Sequence, residues 1–245
     1  MNIPEEKKYI YKTPEALSVV LAEKVLNLVK DAIIEQRQFH IAISGGRTPK
    51  VLFDYIASAY QDPKHWNHTH FYWVDERCVP HDHPLSNYRL INEALLRYLT
   101  LPYANVHRMM GEKEPYDEAA RYERDLQDTV PLKDGLPCFD LILLGIGEDG
   151  HTASIFPDQM KLFHSEKLCE VGIHPETRNL RITMTGKVIN NAKHVYFLVT
   201  GKEKSVILAK LFNKNEREQY PAGLVSPTHG TLEWFLDDAA AKLIC

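Results

Sequence analysis

Two runs of residues, Phe39-His40-Ile41-Ala42-Ile43 and Phe139-Asp140-Leu141-Ile142-Leu143-Leu144, are apolar with almost no alternation, and each stops abruptly at a glycine-bearing loop. A strand with one wetted face alternates between apolar and polar; a nearly continuous apolar run belongs to a strand covered on both faces, as in a parallel sheet. His70-Phe71-Tyr72-Trp73-Val74 and the run from Val195 to Val199 repeat the pattern. Helix signals lie between them. Thr13-Pro14-Glu15 supplies a capping hydroxyl, a proline for the first helical position and a carboxylate near the positive dipole end. Leu17, Val20, Leu21, Val25, Leu28 and Ala32 follow at helical spacing and predict a helix to about Gln36. Thr48-Pro49 opens a second helix through Val51, Leu52 and Tyr55, Ser86 to Leu99 reads as a third, and a fourth carries Lys204, Ile207 and Leu211. Strands each followed by a helix place the chain in the α/β class, with a mostly parallel central sheet flanked by helices. Pro157 to Arg178, polar with scattered apolar residues, reads as a helix plus a surface loop.

With 245 residues, 44% of them hydrophobic and 25% charged, the chain has the material for a sizeable core and lies outside the disordered range. No linker, low-complexity tract or fixed-period repeat divides it, so residues 1–245 read as a single domain. The balance of 29 Lys+Arg against 33 Asp+Glu, a formal charge of −4, argues against a nucleic-acid partner and leaves room for a locally basic pocket. Cys78, Cys138, Cys169 and Cys245 form no CxxC and no ligand ladder, which fits a reduced compartment. The start, Met1 to Lys8, has charge without an apolar stretch behind it, and no run approaches the ~18 apolar residues of a membrane span. The expectation is a cytoplasmic protein that spans no membrane; the sequence sets no oligomeric state.

Ligands of open parallel sheets bind beyond the carboxyl ends of the strands. Four such ends carry suggestive groups: Ser44-Gly45-Gly46-Arg47, Asp75-Glu76-Arg77, Gly147 to His151, and Gly201 to Lys204. The first offers backbone N–H groups and a guanidinium at a helix start, where an anion is favoured; it also reads as a tight turn with a surface arginine. Arg77 and Lys204 at neighbouring strand ends favour the anion, because three cations converging on one rim suit a phosphate dianion. Lys202 reads as a solvated charge.

Gly145 to Gly150 matches GxGxxG, yet Glu148 and Asp149 would repel a pyrophosphate there and Pro157 limits any following helix to about two turns. The loop has a different use. Asp149 and His151 flank one glycine, an arrangement that keeps a carboxylate close enough to bias the tautomer of an imidazole, whose ordinary pKa is about 6.5. That is the equipment of a general base. With 12 histidines in the chain, His40, His107, His174, His194 and His229 have no comparable setting and read as structural. GxSxG, HExxH and GxxxxGK[ST] are absent. His81-Asp82-His83 with Cys78 resembles a metal site superficially, but in a polar loop it reads as exposed, so no metal is expected there.

Taken in order, these residues resemble the 6-phosphogluconolactonases, within the superfamily of glucosamine-6-phosphate deaminases and ribose-5-phosphate isomerases. The anchors span nearly the whole chain. They are Ser-Gly-Gly-Arg-Thr-Pro at 44–49, Trp-Val-Asp-Glu-Arg-Cys-Val-Pro at 73–80 with Ser86-Asn87-Tyr88, Gly-Ile-Gly-Glu-Asp-Gly-His-Thr-Ala-Ser-Ile-Phe-Pro at 145–157, Arg181 to Thr185, and Leu198 through Lys204. The resemblance implies a modified Rossmann-like sheet and hydrolysis of 6-phospho-D-glucono-1,5-lactone without cofactor or metal. Ser44, Gly45, Gly46, Arg47, Arg77 and Lys204 would then hold the phosphate and the sugar hydroxyls, with Asp75 and Arg181 as further substrate contacts or, for Arg181, support behind them. His151 would act as the base, and Asp149 would orient it or shape its loop.

Two rivals remain. A deaminase-isomerase acting on glucosamine 6-phosphate shares the phosphate loop and the Asp-Gly-His element, but the deaminases carry Asn-Glu-Pro where this chain has Ser154-Ile155-Phe156-Pro157. A non-catalytic sugar-phosphate sensor would lack the catalytic loop or carry a DNA-binding unit, and neither feature is seen in the sequence.

Overall fold

The computed structural model describes residues 6–244. Cys245 and the first five residues of the N-terminal stretch, on which part of the targeting expectation rests, lie outside the described residues. In chain order the first half runs β1 (Glu6–Tyr11), α1 (Pro14–Ile34), β2 (Phe39–Ile43), α2 (Arg47–Ala59), α3 (Pro63–Trp66), β3 (Thr69–Trp73), β4 (Asp75–Arg77), α4 (Asn87–Ala94), β5 (Val106–His107) and α5 (Pro115–Thr129). The second half runs β6 (Leu132–Lys133), β7 (Leu136–Pro137), β8 (Leu141–Leu144), β9 (Cys169–Ile173), β10 (Leu180–Met184), α6 (Gly186–Ile189), β11 (His194–Val199), α7 (Ser205–Phe212), β12 (Thr231–Asp237) and α8 (Asp238–Ala241).

Seven strands form the central sheet in the order β1-β12-β11-β8-β2-β3-β5, and every neighbouring pair is parallel. The continuous apolar runs are the reason: every residue of β2 and of β8 is buried, as a sheet packed on both faces requires. From β2 the chain steps outward through β3 to β5, whereas from β8 it steps the other way through β11 to β12. The order therefore reverses between β2 and β8, and a crevice opens beyond their carboxyl ends.

Helix α1 starts where its sequence signals say. The Thr13 hydroxyl accepts from the Ala16 amide at 3.2 Å and Pro14 occupies the first turn. It ends at Ile34, two residues short of the expected end, because Gln36 takes a φ of +55°. The third expected helix is shorter than read: α4 stops at Ala94 and a 3-10 turn, Leu96–Tyr98, follows.

The reading of 157–178 as a helix plus a surface loop is corrected. A 3-10 helix, Pro157–Leu162, is followed by strand β9, which with β10 and β4 makes a small antiparallel sheet. Its partner lies outside any local sequence window, and β9 is covered by β10 and α5; β10 in turn joins the end of β3, where the Met184 amide donates to the Val74 carbonyl at 2.8 Å. This small sheet forms one wall of the crevice. Among the described residues no helix is long and apolar enough to cross a membrane.

Candidate active site

The loop after β8 is a set of tight turns. Gly150 takes a φ of +86°, its amide donates to the Gly147 carbonyl at 3.1 Å, and the Gly147 amide donates to the His151 carbonyl at 2.9 Å. A Cβ at Gly147 would lie 2.1 Å from His151 Nδ1, so only glycine lets the imidazole fold back over the loop. There Asp149 Oδ1 accepts from the His151 amide at 3.2 Å and lies 2.6 Å from its Nδ1. Burial pushes the Asp149 carboxyl up, but the hydrogen bond and charge of His151 outweigh it and hold the carboxyl below the usual range. An ionised Asp149 fixes the proton on Nδ1 and leaves Nε2 as the basic nitrogen. The buried Phe156 ring backs the imidazole, 4.8 Å between centroids.

His151 faces a cavity of about 180 Å³ together with Ser44, Asp75, Arg77, Asn87 and Arg181. Arg77 on β4 and Arg181 on β10 are directly opposite each other in the antiparallel register, so their side chains share one face of the small sheet. Both Nε atoms are buried without a hydrogen-bond partner. Burial, and after it the neighbouring Arg77, pulls the Arg181 pKa down from its ordinary value. Arg77 Nη1 donates to the Leu85 carbonyl at 2.6 Å, and the Arg181 guanidinium lies 5.8 Å from the centroid of Phe156, the same ring that backs His151.

Asp75 is 5% exposed, and it is engaged on both oxygens. Ser154 Oγ donates to Oδ2 at 2.6 Å, while Asn87 Nδ2 donates to Oδ1 at 3.3 Å and to the Asp75 carbonyl at 2.9 Å. The buried Glu76 next to it gathers the amides of Arg77, Asn87 and Tyr88 and the hydroxyl of Ser86, at 2.7 to 3.0 Å. That carboxylate ties the start of α4 to β4 and so sets Asn87 in place. Burial pushes the Glu76 carboxyl up against the pull of those hydrogen bonds.

A second cavity, of about 400 Å³, adjoins the first and shares Gly45, Gly46, Gly145 and Ile146 with it. Its cations are Arg47 and Lys204. It opens onto the start of α2, where Gly46 is the N-cap residue at a φ of +115° and no side chain caps the helix. First-turn amides with no side-chain acceptor, at the positive end of a 13-residue helix, favour an anion. The hydroxyls of Thr48 and Thr200 meet across the cavity at 2.8 Å. The Arg47 side chain is 95% exposed, with Glu203 at 3.9 Å. Asp237 also lines the cavity, but its carboxylate is taken up by the Gly201 and Ala240 amides.

The structure thus brings the sequence-predicted residues to one crevice but divides the expected cation cluster. Arg47 and Lys204 line the larger cavity, whereas Arg77 lines the smaller one with Arg181, His151 and Asp75. Ser44 lies in the wall of the smaller cavity with its hydroxyl donating to the Leu143 carbonyl at 2.9 Å. Gly45 and Gly46 form the shared floor. Lys202 is exposed, as are His81 and Asp82. Among the described residues no group of three or more His, Cys, Asp or Glu is placed to hold a metal ion. Asn87, Glu76, Ser154 and Phe156 had no assigned role in the sequence reading; the signal available for Glu76 was a carboxylate inside a strand-end run ten residues before a helix start at Ser86.

The profile of the family described as glucosamine-6-phosphate isomerases/6-phosphogluconolactonase matches residues 12–234. A 6-phosphogluconolactonase of Haemophilus influenzae is 42% identical over 207 residues, covering 84% of this chain and 87% of the relative. Among solved structures, one titled devB protein superposes with a TM-score of 0.92 at 38% identity, covering 98% of this chain and all of the other. The 6-phosphogluconolactonase of Trypanosoma brucei superposes with a TM-score of 0.88 at 26% identity, covering 99% of this chain and all of the other. With the profile matched over most of its length and its fold shared with these solved structures, the chain belongs to the glucosamine-6-phosphate isomerase/6-phosphogluconolactonase family.

Proposed function

We propose that this chain hydrolyses 6-phospho-D-glucono-1,5-lactone to 6-phospho-D-gluconate by general-base activation of water, as a single-domain enzyme. The observation that carries this reading is His151: its Nδ1 is held by Asp149 at 2.6 Å and its ring lines a cavity that shares its floor with a second, cation-lined cavity at a helix start. The substrate's phosphate belongs in the larger cavity, on Arg47, Lys204 and the free end of α2. The lactone then extends over Gly45 and Gly46 toward His151. His151 Nε2 takes a proton from water as the water oxygen bonds to the lactone carbonyl carbon. The same nitrogen returns that proton to the ring oxygen when the ring C–O bond breaks. Asp75, with remaining acceptor capacity beside Asn87, receives a sugar hydroxyl.

This chemistry needs no covalent nucleophile and no cofactor. A δ-lactone hydrolyses unaided in water, so a positioned base worth about 10²–10⁴-fold, with orientation from a held phosphate, suffices. We place the enzyme in the cytoplasm, a reading supported by the free thiols of Cys78, Cys138 and Cys169.

The test generates the lactone in situ with glucose-6-phosphate dehydrogenase and follows its loss against the spontaneous rate. Added protein should accelerate the loss, and glucosamine 6-phosphate should release no ammonia. Loss at the spontaneous rate would reject the hydrolase reading, and ammonia release would move the chain to deaminase chemistry.

A further inference from the structure

The two arginines beside His151 are placed oddly for residues that hold a phosphate. Arg77 and Arg181 stand opposite each other on adjacent strands, each with a buried Nε that no group satisfies, and among the described residues neither has a carboxylate within ion-pair distance. Two like charges side by side in a partly dry pocket disfavour each other, and leaving buried N–H donors unmade costs stability. An arrangement that pre-orients such donors has a use only when negative charge arrives in front of them.

Which charge arrives follows from the division of the crevice. The general base has to lie at the carbonyl carbon, so the cavity that holds His151 holds the reacting end of the substrate. The phosphate, at the opposite end of the sugar, falls in the neighbouring cavity with Lys204, Arg47 and the α2 amides. Arg181 and His151 pack against the same Phe156 ring, at 5.8 and 4.8 Å from its centroid, and both line the smaller cavity. When water adds, the carbonyl π pair moves onto oxygen; when the tetrahedral species collapses, that pair re-forms the carbonyl and the ring C–O bond breaks. The oxygen is negative only between those two events.

We propose, on the basis of the lactonase reading, that Arg77 and Arg181 are the electrophilic half of the catalytic site: they donate to the carbonyl oxygen of the lactone and stabilise its oxyanion, rather than holding the phosphate. Their rigid forks, held in place by Leu85 for Arg77 and by the Phe156 ring for Arg181, are aimed at charge that develops in the transition state. Lys204 and Arg47 are the phosphate ligands.

The experiment measures kcat, KM and the inhibition constant of inorganic phosphate for the wild-type protein and for Arg181→Gln, Arg181→Lys, Arg77→Gln and Lys204→Ala. The Lys variant keeps the charge in case the Gln variant does not fold. The expected result is a fall in kcat of about a hundredfold for the arginine variants, of the size seen when one oxyanion donor is lost, with the phosphate inhibition constant within about twofold of wild type. Lys204→Ala should show the reverse, a raised KM and a weakened phosphate inhibition. Arginine variants that weaken phosphate inhibition tenfold or more, or that leave kcat unchanged, overturn the proposal. A wild-type protein that does not accelerate lactone loss rejects the hydrolase reading itself, an outcome distinct from active variants with unaltered turnover.

Discussion

Asp149 Oδ1 accepts two hydrogen bonds from one residue two positions away, from the ring Nδ1 of His151 at 2.6 Å and from its backbone amide at 3.2 Å. A single oxygen therefore fixes both the orientation of the imidazole and the backbone turn that carries it. The Asp149 carboxyl is held below the usual range, so it remains ionised through the weakly acidic region. Asp149→Asn removes the charge that selects the Nδ1–H tautomer while keeping a group that accepts from the amide. Its kcat should fall by at least about tenfold with KM little changed, because the loss is one of base orientation and not of binding. A raised KM at constant kcat would make Asp149 a binding residue.

Gly45 and Asn87 constrain each other. A Cβ at Gly45 would lie 2.0 Å from Asn87 Oδ1, and Asn87 in turn donates to the side chain and the carbonyl of Asp75. Gly45→Ala must push Asn87 off those acceptors, freeing a buried amide group at a cost of about 1–3 kcal/mol. Urea denaturation should register that loss, and turnover should fall with it, because the floor of both cavities moves. Wild-type stability in Gly45→Ala would show that Asn87 is less firmly held than its hydrogen bonds imply.

On the β2-β3-β5 side of the sheet, His40, His70 and His107 form a stack with centroid spacings of 4.9 and 5.3 Å, and His70 Nδ1 lies 3.1 Å from His107 Nε2. Tyr72, Asp125, Arg121, Asp140 and Lys193 surround it. Burial, then the neighbouring histidines, hold His40 down at about 4, and burial followed by His107 does the same for His70. The folded state thus refuses protons that the unfolded chain binds below about pH 6.5, so stability is full above that pH and falls as pH drops toward about 4. Each proton of difference costs about 1.4 kcal/mol per pH unit. His40→Gln should flatten the fall of unfolding free energy between those pH values by close to one such increment. An unchanged slope would mean that His40 is protonated in the folded state.

The parallel sheet was legible because β2, β8 and β11 are apolar at nearly every position, a local signature of burial on both faces. The outer strand β1, Glu-Lys-Lys-Tyr-Ile-Tyr, escaped for the opposite reason: it lies at the sheet edge, and its two lysines are exposed. β9 escaped because its partner β10 is defined only by the folded chain. Within the site, the strand-end rule located Ser44 to Arg47, Asp75 to Arg77, His151 and Lys204, since each lies in the segment that follows an apolar run. No such rule divides cations between two cavities. That division depends on Arg77 facing Arg181 across a strand pair that the sequence did not reveal. Phe156 was legible only as the absence of a carboxylate, whereas the structure shows it as the ring that backs His151.

The measurement that bears most directly on this account compares lactone loss catalysed by the wild-type protein with that by His151→Ala, both corrected for the spontaneous rate and both checked for an intact fold and unaltered inhibition by inorganic phosphate. Removal of the base should lower kcat by at least about a hundredfold while phosphate still binds in the neighbouring cavity. A folded His151→Ala protein that turns over the lactone at a rate near wild type would contradict general-base catalysis by His151.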